Sequence, residues 1–270
     1  ELLSGYNIFK EGKIRRFWAS QPGFSVRLLL LTRLYPYLPQ MRHANPKMLK
    51  MFFGYKLEDI ENPFYSHLLR WNNSNHIKKH LSENVKQGLL DTSLVDLTEI
   101  LPDGFESWSS LAKAQWIETT IFMSGYLLSS QGDRMALANS VEGRYPFLDF
   151  RLIEFCTSLP DEYKLNGLNE KFLLKKLLKN KIPHSILHRP KQAYRAPISS
   201  AFLAENAPDY VKNMLSKEQT EKAGVFNHDS ISSVISKIER AGLATQVDNM
   251  LITSVISTHL LHYQFIQKHS

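Results

Sequence analysis

The run Gln131-Gly132-Asp133-Arg134-Met135-Ala136-Leu137-Ala138-Asn139-Ser140-Val141-Glu142-Gly143-Arg144-Tyr145-Pro146-Phe147-Leu148-Asp149 decides how this chain is read. It sets two arginines and three carboxylates among small and apolar residues and closes on an X-Pro turn. Charged side chains of both signs in a partly apolar setting are expensive unless they pair with one another or with a charged ligand. A ligand carrying both a carboxylate and an ammonium would use both signs, Arg134 and Arg144 for the carboxylate and Glu142 for the ammonium. Pairing among these three is the purely structural alternative. Asp149 reads as the N-cap of a helix from Arg151 onward.

Outward from this run the chain reads as helical. Residues 107–128 place Trp108, Leu111, Ala112, Gln115, Trp116, Thr119, Phe122, Met123, Tyr126 and Leu127 at spacings of three and four, which predicts a buried central helix. Gly132 reads as its C-cap and Asp133 as the next N-cap, so the charged run would begin at a helix N-terminus, where backbone N–H groups favour an anion. Residues 152–158 form a short helix stopped at Pro160. After the Asn166-Gly167 turn signal, residues 170–180 carry Leu173, Leu174, Leu177 and Leu178 on one face and Lys171, Lys175 and Lys179 on another, until Ile182-Pro183 ends the helix. Of these lysines, Lys175 and Lys179 read as solvated. The loop 189–197 holds Arg189 and Lys191 between prolines, a good place for a lid over a charged substrate. Residues 229–267 give two helices broken near Ala241-Gly242. Pro36, Pro39, Pro46 and Pro63 cut residues 35–75 into loops and short helices, with Met48, Leu49, Phe52 and Phe53 as local core. No segment has a sustained strand pattern, so the fold class expected for these residues is mostly α.

With 270 residues, 43% of them hydrophobic, the chain can bury one large core or two smaller ones. Its single cysteine, Cys156, lies in an apolar stretch and reads as core filling; one Cys excludes an internal disulfide framework and leaves a reducing, cytoplasmic compartment as the expectation. No apolar run approaches the roughly 20 residues needed to span a bilayer. The first residues, Glu1-Leu2-Leu3-Ser4-Gly5-Tyr6, lack a Met and a signal-peptide pattern, and a fragment of a longer protein is expected. The net charge of +7 raises nucleic acid as a partner, but the densest basic stretch, Lys10, Lys13, Arg15 and Arg16, has no nucleic-acid motif beside it. It reads as a solvated helical face that would attract polyanionic nucleotides. The histidines have no cysteine partner, so no zinc site is expected and no metal ligand set is assigned within the chain.

Several ordered motifs resemble the synthetase domain of glutamine-hydrolysing asparagine synthetases. Residues Asp133 to Asp149 match that family's D-R-x-S-M-A-x-S-V-E-x-R-x-P-F-L-D pattern, with Ala136 and Leu137 in place of Ser and Met. Glu170-Lys171-Phe172-Leu173-Leu174-Lys175 resembles its E-K-x-L-L-R/K helix start, and Arg189-Pro190-Lys191-Gln192-Ala193-Tyr194 its R-P-K-Q/E-x-F loop. Glu1 to Tyr6 is similar to D-E-L-F-G-G-Y from its second residue, with Leu3 and Ser4 departing from Phe and Gly. Asp248-Asn249-Met250 with Ser257-Thr258-His259-Leu260-Leu261-His262 resembles the tail of one bacterial branch.

The resemblance implies that residues 1–270 are the helical C-terminal portion of an α/β synthetase domain of the ATP-pyrophosphatase type, similar to the adenine nucleotide alpha hydrolases. The S-G-G-x-D-S pyrophosphate loop and the N-terminal glutaminase domain with its Cys nucleophile are not in this sequence, so weak ATP binding is expected of it alone. The implied reaction uses ATP and Mg2+ to convert aspartate to an acyl-adenylate, which ammonia from glutamine then opens to asparagine. It also implies a catalytic Lys171 on the pyrophosphate, Arg134, Glu142, Arg144 and Lys191 as substrate-binding residues, and Glu1 close to ATP and Mg2+. A cation at the start of a helix opposes the dipole, which suits a lysine kept for phosphate. A homodimer is a possible assembly; neither nucleic acid nor membrane is expected as a partner. The departures at Ser4, Ala136 and Leu137 leave open an amidotransferase for another carboxylate, such as a sugar acid or peptide precursor. A non-catalytic helical interaction module is the reading of a different class.

Overall fold

The computed structural model describes residues 1–35, 41, 45–91, 97–189, 191 and 198–269. Helices dominate: α1 (Asn7–Ala19), α2 (Pro46–Phe53), α3 (Tyr65–Asn75), α4 (Glu83–Asp91), α5 (Ser110–Ile117), a π-helical stretch (Glu118–Asp133), α6 (Arg134–Ala138), α7 (Phe150–Ser158), α8 (Asp161–Lys164), α9 (Phe172–Leu178), α10 (His184–Leu187), α11 (Ile198–Phe202), α12 (Asp209–Met214), α13 (Lys217–Ala223), α14 (His228–Ala241) and α15 (Gln246–Phe265). Among the described residues the only sheet is the two-stranded antiparallel pair β1 (Leu165–Asn166) and β2 (Asn169–Glu170), closed by Gly167 at φ 57°. The chain divides into one unit made of Glu1–Leu69 with Leu101–Ala193 and a second made of Arg70–Ile100 with Tyr194–Ser270.

Helix α1 is the axis of the first unit and is buried nearly all round. Ile14 and Trp18 enter a cluster with Leu31, Leu34, Leu49, Phe53, Leu57 and Leu69, while Ile8 and Phe9 join Leu111, Ala114 and Leu165 on another side. Full burial of side chains of this size contributes about 1.5–3 kcal/mol each. The basic stretch is therefore not a solvated face. Arg15 is wholly buried, donating from Nε to the Phe53 carbonyl at 3.0 Å, from Nη1 to Tyr65 at 3.2 Å and from Nη2 to Tyr55 at 2.5 Å. An arginine survives there because its planar fork meets three fixed acceptors. In α2 the local core is half of what the sequence suggests. Leu49 and Phe53 are buried, whereas Met48 and Phe52 lie on the outer face of the turn and are exposed.

The central helix also differs from expectation. It does not break at Gly132. The backbone passes from α5 through π-type hydrogen bonding into α6 with helical angles at Asp133 (φ −62°, ψ −44°), and the Asp133 side chain caps nothing. Nor is it buried beyond its first turns: Leu111, Ala114, Ile117 and Glu118 are inside, but Phe122 and Tyr126 are exposed. The i→i+5 pattern winds more residues into each turn, so side chains spaced for an α-helix do not gather on one stripe. The N-terminal anion site expected at Asp133 therefore does not exist. Downstream, Asp149 does cap α7, accepting from the Arg151 N–H at 3.0 Å, and Cys156 fills core, with burial pushing its thiol up.

The second unit is built on α14 and α15, whose ends follow cap chemistry. Asn227 accepts from the Ser230 N–H, Gly242 ends α14 at φ 66°, and Thr245 with Asp248 forms a reciprocal capping box. Val211, Ile238, Ile252 and Ile256 form one cluster and Phe226, Ile231, Leu251 and Val255 another. Backbone hydrogen bonds from Asn227 to His80 (2.8 Å) and from Ser82 to Val225 (2.9 Å) tie α14's entry to residues 80–82.

Candidate functional site

In the first unit the segment Glu1 to Tyr6 is threaded between α5 and β2. Gln115 Nε2 donates to the carbonyls of Glu1 (2.7 Å) and Leu2 (2.9 Å), and the Lys171 N–H donates to the Leu3 carbonyl at 3.0 Å. Ser4 takes a left-handed φ of 54° and is fully buried. A Cβ at Gly5 would stand 2.6 Å from Lys171 Cε, so any side chain there would push the lysine stem aside. The lysine stem thus lies against the Gly5 backbone.

Lys171 stands at the start of its helix, as the sequence suggested. It is the N-cap of α9, at φ 53°, and its side chain is exposed. A left-handed lysine is unfavourable by about 1 kcal/mol, and the surroundings hold it there. The brace is Glu170, buried just before it. Its carboxylate pairs with Lys10 and, at 3.5 Å, with Lys175. Burial would raise the Glu170 carboxyl, but the hydrogen bond and charge of Lys10, with Lys175 behind, hold it below the usual range. Lys175 also donates to Asn169 Oδ1 at 2.9 Å, so it is a structural partner of β2 and not a solvated lysine.

Around Lys171 the chain gathers further charged groups. Lys191 Nζ lies 5.5 Å from the centroid of the Tyr6 ring, a cation–π contact. Burial, the charge of Glu1 beside it, its hydrogen bond to the Glu1 carboxylate and the charge of Glu118 all push the Tyr6 phenol up, so it stays a donor. Glu1 Oε1 is buried and has no hydrogen-bond partner among the described residues. Glu118, at the junction of α5 and the π-helical stretch, is buried and hydrogen-bonded at 3.2 Å to His67 Nε2, whose Nδ1 meets Ser66 Oγ at 2.8 Å. Glu118 and His67 are members of this cluster that the sequence did not disclose. Glu118 lies on the expected helix but looks like any polar interruption, and His67 sits in the least readable region.

Of the residues singled out in the sequence, the structure brings together Lys171, Lys191 and Glu1. It does not bring Arg134, Glu142 and Arg144 to them. Arg134 is exposed on α6, and Glu142 pairs with Arg144 at 2.8 Å with both side chains at least three-quarters exposed. Of the loop 189–197, Arg189 is exposed, while Pro190 and residues 192–197 lie outside the described residues. Two histidine pairs stand four residues apart, His76 with His80 and His184 with His188; the rings of the second pair lie 4.2 Å apart. Among the described residues no group of three His, Cys, Asp or Glu could hold a metal ion, and no helix is long and apolar enough to cross a membrane.

Chemically, an exposed ammonium held at a glycine, a second cation nearby and the unpartnered carboxylate oxygen of Glu1 can grip a ligand that carries both phosphate and ammonium groups. The profile of the asparagine synthase family matches residues 1–262. The asparagine synthetase [glutamine-hydrolyzing] 1 of Bacillus subtilis is 31% identical over 148 residues, 53% of this chain and 23% of that protein. A second such synthetase of that organism is 46% identical over 59 residues, 22% of this chain and 8% of its own length. Amidase chyE of Penicillium rubens is 29% identical over 136 residues, 48% of this chain and 20% of the amidase. The matched stretch thus spans less than a quarter of the length of these relatives. No solved structure matches the chain.

Proposed function

The chain belongs to the asparagine synthase family, and we propose on that premise that it is the helical C-terminal part of an ATP-dependent synthetase domain that turns a carboxylic acid into an amide. In the reaction we infer, the substrate carboxylate attacks the α-phosphorus of ATP, pyrophosphate leaves, and ammonia from glutamine displaces AMP from the acyl-adenylate. Aspartate, giving asparagine, is the substrate in this reading. The observation that carries it is the placement of Lys171: its N–H is fixed to the Leu3 carbonyl, its stem lies on Gly5, and its ammonium remains exposed. Such a cation is suited to charge that develops on a departing pyrophosphate.

Lys191 would add positive charge on the same side, and Glu1 and Glu118 supply the negative charge that an amino-acid ammonium seeks. Arg134, Glu142 and Arg144, paired at the surface or exposed, are proposed to meet the substrate carboxylate and ammonium when the remaining parts of the domain cover them. Exposed Leu137, Val141 and Phe147 in the same segment are the apolar surface that a glutaminase domain or a second copy would cover. The orphaned Glu1 Oε1 fits a cation, so Glu1 is the residue of this chain proposed to lie near Mg2+, which when bound supplies charge neutralisation on the triphosphate.

The test is pyrophosphate release by the full-length protein with Mg-ATP, glutamine and aspartate. Aspartate-dependent release with asparagine formed in equal amount is expected; no release with any carboxylic acid would leave the non-catalytic module. A second reading, amidation of another carboxylate, is favoured by the similarity to amidase chyE and by Ala136 and Leu137 within the charged run. A panel of acids in the same assay separates the two.

A further inference from the structure

We propose that the first unit holds a second binding site, for a small tetrahedral oxyanion of the phosphate type, in the cavity between α1 and α5. The cavity, partly open to solvent, offers about 100 Å³, and neither Glu1, Lys171 nor Lys191 lines it. On this measure one water needs about 10–15 Å³, so the space suits several waters or one tetrahedral ion.

Its wall is unbalanced in charge. Lys13 and Arg16 of α1 and Lys113 of α5 face it, against the single carboxylate of Asp161. Among the described residues none of the three cations makes an ion pair. Lys13 Nζ reaches the Leu165 carbonyl at 3.4 Å, and Lys113 Nζ the Glu106 carbonyl at 2.8 Å and the Phe105 ring, 5.9 Å from its centroid. Arg16 rests its guanidinium 5.0 Å from the Tyr65 ring centroid. Asp161 itself accepts from Ser109 Oγ at 3.0 Å. The neighbouring Arg15 shows what a structural arginine looks like here, with three carbonyls satisfying its fork. Arg16 has no such set, and its free fork is the geometry that grips an oxyanion through two parallel hydrogen bonds.

The second, independent feature is the start of α5. Ser109 caps it by accepting from the Ala112 N–H, while Ser110 and Leu111, its first two residues, line the cavity. Backbone N–H groups at these positions have no acceptor within the helix, and the dipole there adds to the positive field. Ser66, whose hydroxyl meets His67 Nδ1, forms part of the same wall. Cations from two helices, helix-start donors and a recessed volume thus converge on one small anion.

The site is tested on the chain itself by titrating inorganic phosphate at low ionic strength, followed by calorimetry and by the imidazole resonances of the histidines. Saturable one-to-one binding is expected, shifting the His67 resonance and leaving His259 of the second unit unmoved. Arg16→Gln with Lys113→Gln should weaken it by at least tenfold, and Lys171→Ala should leave it unchanged. Should the double variant unfold, Lys113→Gln alone should weaken binding severalfold. Glycerol 3-phosphate, compared with inorganic phosphate, shows whether the anion is free or the head of a small metabolite; tighter binding of either supports the site. Absence of saturation by about 20 mM, well above the millimolar range of a weak site, would overturn the proposal. So would loss of binding in Lys171→Ala together with its survival in the double variant.

Discussion

Lys171 occupies a backbone conformation that glycine adopts at no steric cost and lysine does not. Stability and the proposed activity therefore pull this position in opposite directions. Lys171→Gly should raise the unfolding free energy by about 1 kcal/mol in denaturant titration. In the full-length protein both Lys171→Gly and Lys171→Ala should lower amide synthesis by about 100-fold, roughly 3 kcal/mol, while glutamine hydrolysis continues. Synthesis within about threefold of wild type would reduce Lys171 to a surface residue. Glu170 behaves differently because it is buried between two lysines. Glu170→Gln keeps the shape but leaves Lys10 and Lys175 facing an uncharged amide, and should cost about 3 kcal/mol. The depressed Glu170 carboxyl fixes the direction with pH. Its contribution is complete above the ordinary carboxylate value of 4.5 and is lost as pH falls through the lower folded value. Thermal melts of wild type should fall in that acid window, and those of Glu170→Gln should fall less; parallel curves would refute the pairing.

Among the elements, those bounded by caps were legible in the sequence and those bounded by packing were not. The break between α14 and α15 follows from Gly242, and Asp149 announces α7, because caps are local hydrogen-bond chemistry. Thr245→Ala should cost about 1 kcal/mol by chemical denaturation, since it removes one half of a reciprocal box. An unchanged midpoint would mean that Asp248, paired with Lys237 at 2.5 Å, holds the turn without it. Helix α1 was misread for the opposite reason. A helix buried nearly all round has no polar stripe, and only the distant carbonyls of Phe53, Tyr55 and Tyr65 make Arg15 an interior residue. The left-handed turn at Lys171 likewise depends on Leu3, far away in sequence, and no local pattern could announce it.

For the molecule as a whole, mostly helical architecture and the grouping of Lys171, Lys191 and Glu1 were legible, the first from periodicity and the second from motifs. Their relation to Glu118 and His67 was not, since it arises from tertiary contacts between segments distant in sequence. The π-helical stretch joins that cluster to the charged run from Arg134 onward, and its winding bears on how the chain tolerates changes in length. Removing one residue from an α-helix rotates everything beyond it by about 100° and sends each side chain to a new face. A stretch already bonded i→i+5 can absorb the same loss by letting one turn revert to i→i+4, which restores the register downstream. Single-residue deletions between 121 and 130 should therefore preserve the fold far better than deletions within α15, as read by circular dichroism melts of the two series. Equal collapse of both would show that the wide winding has no such slack. Insertions and deletions among homologues should then concentrate between Glu118 and Asp133, a region where the distance from the buried carboxylates to Arg134 can drift without refolding either end.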